Sequence, residues 1–398
     1  MCCCVICCEG KQFRMTRREA LIALNLLPEV GPCRLRSLMQ YFSEPQEILG
    51  ASVDRLRRVP RLGEKCISVL HSWEENCDLP GEERYAQLAG VSIVTFEDPS
   101  YPRQLLDIHD PPICLYVRGD IQALSRSFDS LAMVGSRFVT SYGVTMAKQL
   151  ASQVAMAGWT VVSGLARGID TVCHTAALDV GGCTIAVLGC GLDRIYPPEN
   201  LELARRIASS GGALLSEFSL GTRPAKGNFP MRNRIISGLS RGTLVVEAGL
   251  NSGSLITAAQ SLEQGRAVFA VPGRAGDVTS SGCNALLRDG ARLVERYEDI
   301  REEFSVLPSL RESVLRREEK IRDARTVSEE VPLKPLEFRI WSAIGDSERQ
   351  IDEIVEELGE PVSSVLGALL TLEIRQMVRQ LPGKLVNRVP GRRGVLLQ

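Results

Sequence analysis

Between residues 81 and 300 the chain alternates short apolar runs with segments in which apolar residues recur at helical spacing. Segments 141–158 and 254–265 show the helical spacing, and the apolar runs are rich in β-branched residues. Nearly continuous apolar strands that alternate with helices are typical of a parallel sheet covered on both faces. The pattern therefore predicts an α/β fold with a doubly wound parallel sheet. The eight predicted strands are residues 92–96, 113–117, 131–134, 159–163, 184–188, 213–217, 243–247 and 267–271.

Residues 15–80 have the pattern of several short helices. The segments Leu26–Phe42 and Leu56–Trp73 resemble each other, since each has a glycine turn followed by an amphipathic helix. Such repeats are typical of small SAM-like or helix-hairpin-helix domains, in which a helix N-terminus can bind a DNA phosphate. Glu29 beside Gly31 disfavours phosphate binding in the first repeat. We therefore favour a structural helical bundle, with DNA contact as the alternative.

The C-terminal part reads as a charged linker followed by a small domain. Residues 301–330 hold fifteen charged residues of mixed sign, so a linker is predicted over 301–332. Residues 333–390 have the pattern of three helices and a short hairpin, which predicts a winged helix. Its presumed recognition helix, 361–373, contains no lysine or arginine. A helix that reads DNA normally brings such side chains, so we expect protein contact or regulation here.

Composition limits the classes of function. The 398-residue chain is long enough for two or three domains and has a net charge of −1, so any polyanion would have to bind a local patch. No apolar stretch is long enough to span a membrane, and no membrane association is expected.

The thirteen cysteines are unevenly distributed, with five of them in the first eight residues. Cys4 and Cys7 form a C-x2-C pair, but no second pair of ligands follows, so we predict no metal site. Residues 1–14 lack the basic region of a signal peptide and are interpreted as a disordered or misassigned start, with Met15 as an alternative initiator. The scattered remaining cysteines fit a reducing cytoplasm.

Candidate binding residues follow four of the predicted strands. The carboxyl ends of parallel strands meet at one edge of a sheet, which is where such folds bind ligands. Glycine, hydroxyl and cationic residues follow these strand ends, and segments 130–169 and 218–246 hold three and five basic residues with no acidic one. The sequence therefore predicts an electropositive edge on a nearly neutral protein.

Several ligands would suit such an edge. The stretch GCGLDR (189–194) has Arg194 where a dinucleotide fingerprint has its third glycine, and no P-loop is present. His174 is expected to be a packed core residue. Glu247 is the one carboxylate placed where a hydrolase would need it, and its alternative role is to accept a hydrogen bond at a helix N-terminus.

A nucleic-acid strand explains more of the pattern. Lys226, Phe229, Arg232 and Arg234 supply cations and an aromatic ring within nine residues. Single strands bind to cations that follow the phosphates and to aromatic rings on which bases stack, each stacked base contributing about 1–3 kcal/mol. The alternative is that Phe229 packs in the core and the arginines are solvated. These residues alone leave both interpretations open.

An ordered set of motifs over about 170 residues resembles DNA-processing protein A, the DprA/Smf family. The motifs are VGSR (134–137), SGLARGID (163–170), GCGLDRIYPPEN (189–200), FPMRNRIISGLSRGTLVVEA (229–248), SGSLITA (252–258), VPG (271–273) and SGCNALLRDGA (281–291). The helical start and the winged-helix end also suit that family.

The resemblance implies an extended Rossmann fold that binds single-stranded DNA without sequence preference and forms a homodimer through this domain. It also implies loading of the RecA recombinase and protection of incoming DNA in natural transformation, with neither enzymatic activity nor a cofactor. Arg137, Arg167 and Lys226 are then expected to contact phosphates and Phe229 to stack on a base. The alternative is a Rossmann-like nucleotide hydrolase that cleaves the N-glycosidic bond with Glu247. The expected DNA-binding set is Gly135, Ser136, Arg137, Ser163, Gly164, Arg167, Gly168, Lys226, Phe229, Arg232, Asn233, Arg234, Ser252, Gly253 and Ser254.

Overall fold

The computed structural model describes residues 15–305, 329–345, 349–375, 377–381, 385–388 and 392–396. The chain divides into two compact units, Met1–Glu302 and Glu303–Gln398. The predicted start region 1–14, with Cys4 and Cys7, and most of the predicted linker lie outside the described residues. No described helix is long and apolar enough to cross a membrane, and no described group of three or more His, Cys, Asp or Glu residues could hold a metal ion.

The first unit begins with short helices. Thr16 accepts a hydrogen bond from the amide of Glu19 and the Glu19 carboxylate accepts from that of Thr16, so a capping box fixes the start of the first helix. The two similar segments each form a helix that begins after a glycine, Gly31 or Gly63. The helices are α1 (Arg17–Leu26), α2 (Pro32–Leu38), α3 (Pro45–Leu49), α4 (Val53–Leu56), α5 (Glu64–His71), α6 (Trp73–Asn76) and α7 (Leu79–Leu88).

A nine-stranded sheet follows, and all eight predicted strands are present in it. Its spatial order is β1-β2-β6-β5-β4-β3-β7-β8-β9, and neighbours from β6 to β9 are parallel while β1, β2 and β6 pair antiparallel. The chain adds β4 to β6 on one side of β3 and β7 to β9 on the other, so the fold is doubly wound as predicted. The strands are β1 (Ser92–Thr95), β2 (Cys114–Gly119), β3 (Ser130–Val134), β4 (Thr160–Ser163), β5 (Thr184–Val187), β6 (Ala213–Ser216), β7 (Gly242–Val245), β8 (Ala267–Ala270) and β9 (Arg292–Leu293).

A helix follows each strand from β2 to β9, and several of these helices pack on the sheet. They are α8 (Gln122–Arg126), α9 (Ser141–Met156), α10 (Ile169–Asp179), α11 (Leu201–Ser209), α12 (Asn228–Gly238), α13 (Gly253–Glu263), α14 (Ser281–Arg288) and α15 (Tyr297–Ser305), with 3₁₀ turns at Arg103–Leu105 and Pro198–Asn200. One hydrophobic cluster contains Leu21 and Leu24 of α1 together with Tyr116 of β2. The helical start and the sheet therefore share a core.

The described residues of the second unit form three helices and two small sheets, in agreement with the predicted winged helix. The helices are α16 (Pro335–Ile344), α17 (Ile351–Leu358) and α18 (Val362–Ile374). β11 (Arg349–Gln350) pairs with β13 (Leu385–Arg388), which forms a hairpin with β12 (Val378–Leu381). The sequence pattern did not indicate the parallel pair β10 (Glu329–Leu333) and β14 (Arg392–Leu396).

His174 of α10 is fully buried, as expected for a packed core residue. Its Nδ1 lies 2.7 Å from the hydroxyl of Thr184, which itself donates to the carbonyl of Val161. The single hydroxyl proton of Thr184 is thereby used, so the imidazole donates to Thr184 at Nδ1. Burial, aided by the nearby Arg232 charge, lowers the pKa of His174 from 6.5 to about 3.

Because His174 is buried and its pKa is lowered, we expect the folded protein to lose stability in mild acid. Below pH 6.5 the unfolded chain binds a proton at His174 that the folded chain does not, down to about pH 3. The free energy of unfolding should therefore fall by up to about 1.4 kcal/mol per pH unit from this residue, and be unaffected by it above pH 6.5. Urea unfolding of wild type and His174→Leu at pH 7.5, 6.0 and 5.0 gives the free energy of unfolding at each pH. Its slope against pH should be steeper for wild type than for His174→Leu below pH 6.5. Equal slopes for the two proteins would contradict the assignment.

Candidate nucleic-acid interface

A cavity of about 860 Å³ opens at the carboxyl edge of the sheet, where the order of the strands reverses. The loop after β3 (134–138) and the loop after β7 (249–254) lie on either side of this reversal and both line the cavity. Open α/β sheets bind their ligands at this position. The volume lies within the range of about 300–1,000 Å³ usual for ligand pockets.

Three of the predicted cations are exposed at this edge. Arg137 and Lys226 line the cavity, and within the described part of the chain neither forms an ion pair. Arg167 lines a smaller neighbouring cavity together with Arg137 and is paired with Glu199. Arg137 and Lys226, which form no ion pair among the described residues, and the exposed, paired Arg167 therefore lie at the same edge of the sheet.

Phe229 lines both of these cavities and belongs to the first turn of α12. Phe229, Arg232 and Arg234, which the sequence places after a strand end, thus all belong to a helix. The ring is half-buried, 5.8 Å from the ring of Tyr196, with the Arg137 guanidinium 5.7 Å from its centroid. Phe229 is therefore neither a core residue nor fully exposed, and it lines the cavity wall.

Arg232 and Arg234 were predicted to supply cations for DNA binding, but both residues are 95% buried. Arg234 forms ion pairs of 2.5 Å with Glu217 and 2.8 Å with Asp110, so its charge is neutralised inside the protein. It is also absent from the residues that line the cavity. These ion pairs replace the phosphate contact expected of Arg234.

Arg232 lies beneath the cavity as part of its lining. Its Nη1 donates to the carbonyls of Gly164 and Val187, which end neighbouring strands of the sheet. Burial lowers the pKa of Arg232 to about 10 and raises that of the nearby Asp170 carboxyl. The Asp170 carboxylate accepts from the amides of Gly164 and Ala166. Arg232 and Asp170 therefore stabilise the ends of these strands through buried hydrogen bonds, and Arg232 is not one of the exposed cations.

Ser163 and three predicted glycines have structural positions. Ser163 was expected to bind DNA, but its hydroxyl is buried and donates to the carbonyl of Met133. It therefore does not reach a ligand. A Cβ on Gly164 would meet the Arg232 guanidinium, and one on Gly135 would meet Ile169. Gly168, with φ of 80°, packs against the loop that carries Arg137. These residues shape the cavity through their backbone.

The remaining predicted residues line the cavity directly. Ser252 accepts from the amide of Ser254 and so caps α13, and their hydroxyls lie 2.7 Å apart. The Ser136 hydroxyl accepts from the amide of Phe138 and donates to its carbonyl, which fixes the loop after β3. Gly253 and Asn233 complete this part of the lining.

Glu247 takes the role of a hydrogen-bond acceptor at a helix N-terminus. Its carboxylate is 97% buried and accepts from the amide of Thr140, which caps α9. The side chain packs against Gly143, where a Cβ would overlap it. Glu247 is not among the residues that line the cavity.

The sequence reasoning missed two aromatic residues at this edge. Phe138 is 87% exposed and Tyr196 39% exposed, and both line the cavity. Phe138 directly follows Arg137, so the residue after the GSR motif was an available signal. Tyr196 lies within the motif GCGLDRIYPPEN (189–200), so its place in that motif was an available signal.

Comparison with known proteins gives two family matches. Residues 92–305 match the family model described as DNA recombination-mediator protein A, and residues 324–384 match the DprA winged helix domain. The first match covers the whole sheet and every residue of the cavity lining.

Individual relatives agree with the family matches. Protein Smf of Escherichia coli (strain K12) is 43% identical over 295 residues, which are 73% of this chain and 76% of that protein. DNA processing protein DprA of Bacillus subtilis (strain 168) is 45% identical over 215 residues, 54% of this chain and 72% of that protein. The X-ray structure of DNA processing protein A (DprA) from Streptococcus pneumoniae is 35% identical with a TM-score of 0.64, and the match covers 72% of this chain and 98% of that chain.

Proposed function

The chain belongs to the DNA recombination-mediator protein A (DprA/Smf) family, and from that premise we propose that it binds single-stranded DNA without sequence preference at the cavity. The observation that carries the proposal is the group of Arg137, Lys226 and Phe229 at the cavity. Two cations with no ion pair among the described residues line the cavity together with a half-buried aromatic ring, and the Arg137 guanidinium lies 5.7 Å from the centroid of that ring. Phosphates would bind the cations and a base would stack on the ring.

The site favours a single strand over a duplex. Phe229 offers its ring from the wall of a cavity, and a base in a duplex is stacked and paired, so it cannot enter without leaving its partner. Contact through phosphates and an aromatic face carries little sequence information, because every base has a similar face. Binding is therefore expected to depend weakly on sequence.

Three further steps are proposed on the basis of the family. The protein is expected to form a homodimer through its Rossmann-like domain and to load the RecA recombinase onto the bound strand. It is also expected to protect incoming strands during natural transformation.

A binding role fits the site better than nucleotide hydrolysis. The hydrolase alternative needs Glu247 to reach a glycosidic bond, but that carboxylate is buried and engaged at the start of α9. Asp170, the buried carboxylate in the lining, already accepts two backbone amides. Neither group is placed as a free acid or base towards the cavity.

Replacing Arg137 or Lys226 by alanine tests the proposal. Each change should weaken binding to dT20 and to mixed-sequence oligonucleotides about equally, by roughly tenfold, because it removes a cation that pairs with a phosphate. The slope of log affinity against log salt should also become shallower by about 0.7 for each phosphate that is no longer neutralised. Fluorescence anisotropy at several salt concentrations measures both quantities.

Arg205→Ala is the matched control, since Arg205 is an exposed arginine of α11 away from the cavity. It should bind like wild type. The proposal fails if wild type shows no preference for single strands over duplex, or if the two cavity variants bind as Arg205→Ala does.

A further inference from the structure

Phe138 has an unusual position for a phenylalanine. Its side chain is 87% exposed, yet its backbone is held firmly, because the Ser136 hydroxyl accepts from its amide at 3.1 Å and donates to its carbonyl at 2.5 Å. Exposed apolar side chains that group together commonly mark a binding surface. A fixed backbone that presents an exposed ring at a cavity is therefore a candidate contact for a ligand.

Phe138 is accompanied by other exposed apolar residues of the same cavity. Leu250 is 63% exposed, Val278 80% and Ile256 43%, and all three line the cavity with Phe138. They come from the loop after β7, the loop after β8 and the first turns of α13. This apolar group is thus assembled from segments far apart in sequence.

The strand order separates the apolar group from the cations. In the order β6-β5-β4-β3-β7-β8, Lys226 follows β6 and Arg167 follows β4, while Leu250 follows β7 and Val278 follows β8. The loop after β3, with Arg137 and Phe138, lies at the boundary. One half of the edge therefore offers cations and Phe229, and the other half offers exposed apolar side chains beside the hydroxyls of Ser252 and Ser254.

We propose that Phe138 is a second base-binding aromatic residue, which receives an unstacked nucleobase on the apolar half of the cavity while Phe229 serves the cationic half. This inference rests on the proposed binding of single-stranded DNA and adds the residue that contacts a further base. A nucleobase fits because it is flat and apolar on its faces, and because the apolar half continues directly from the phosphate-binding half. Stacking on Phe138 would tolerate any base.

The test compares Phe138→Ser with wild type on two probes, dT20 and a deoxyribose-phosphate oligomer of the same length without bases. Phe138→Ser should bind dT20 about 5- to 100-fold more weakly, as expected when one base no longer stacks. Its affinity for the abasic oligomer should equal that of wild type. The salt dependence on dT20 should also be unchanged, because no charge is removed. Phe138→Trp should restore binding and show tryptophan quenching when dT20 is added.

Leu88→Ser is the matched control, because Leu88 is an exposed apolar residue of α7, 78% exposed and outside the cavity. It should bind both probes like wild type. Wild-type affinity of Phe138→Ser for dT20 would overturn this inference and leave the proposed function intact. Equally weakened binding of Phe138→Ser to the abasic oligomer would also overturn it, because Phe138 would then affect contacts with the sugar-phosphate backbone of the DNA and not with a base. If wild type bound neither probe, the proposed function would fail as well.

Discussion

Replacing Arg234 by alanine should lower the free energy of unfolding by about 3–5 kcal/mol, the usual cost of removing one partner of a buried ion pair. The guanidinium contacts Glu217 and Asp110, and the Glu217 side chain is only 10% exposed. Without Arg234, the Glu217 charge would remain buried with no cation to balance it. Urea denaturation followed by circular dichroism measures the change.

Two comparisons make this expectation specific. Arg205→Ala breaks an exposed pair with Glu202, in which both side chains are at least 68% exposed, so it should cost at most about 1 kcal/mol. Arg234→Lys keeps the charge but cannot form the two-point contact with Glu217, so it should also destabilise clearly. If Arg234 instead served a phosphate at the surface, both Arg234 variants would unfold like Arg205→Ala and lose only DNA affinity.

The eight main strands could be predicted because each is largely buried on both faces and therefore forms a nearly continuous apolar run. β9 could not, since it has two residues, Arg292 and Leu293, and the leucine is 46% exposed. The antiparallel pairing of β1 and β2 was also beyond the pattern, because an apolar run does not reveal the direction of its neighbour. The hydrophobic pattern of a strand indicates how far it is buried. The relative direction of two neighbouring strands depends on contacts between residues that are distant in sequence.

In the candidate site, too, local sequence patterns predicted some features, and contacts between distant residues determined the others. Arg137 and Lys226 were found because glycine-containing turns after strands place them at the sheet edge. The burial of Arg234 was missed because its acidic partners lie outside the basic segment 218–246. Glu217 precedes that segment by one residue, and Asp110 is more than a hundred residues away. A local count of charge cannot detect partners that only the fold brings together.

Gly168 packs against the loop that carries Arg137, and Gly168→Ala is expected to lower both the stability of the protein and its affinity for DNA. The residue has φ of 80° and ψ of −127°, a region in which only glycine is unstrained. A Cβ there would also overlap the carbonyl oxygen of Ser136 and lie 2.9 Å from the backbone of Arg137. The backbone strain alone costs about 1–3 kcal/mol, and the overlap adds to it unless the loop after β3 moves.

Movement of that loop would displace Arg137 and Phe138 together, so Gly168→Ala should lose DNA affinity at least as strongly as Arg137→Ala. Denaturation and anisotropy on dT20, below the unfolding transition, measure the two effects. Gly227→Ala is the control, because Gly227 has φ of −68° and nothing within 4 Å of an added Cβ, so it should be neutral or slightly stabilising. If Gly168→Ala matched this control in stability and affinity, the loop would tolerate a side chain at Gly168. The close packing of the two loops would then not be what positions Arg137.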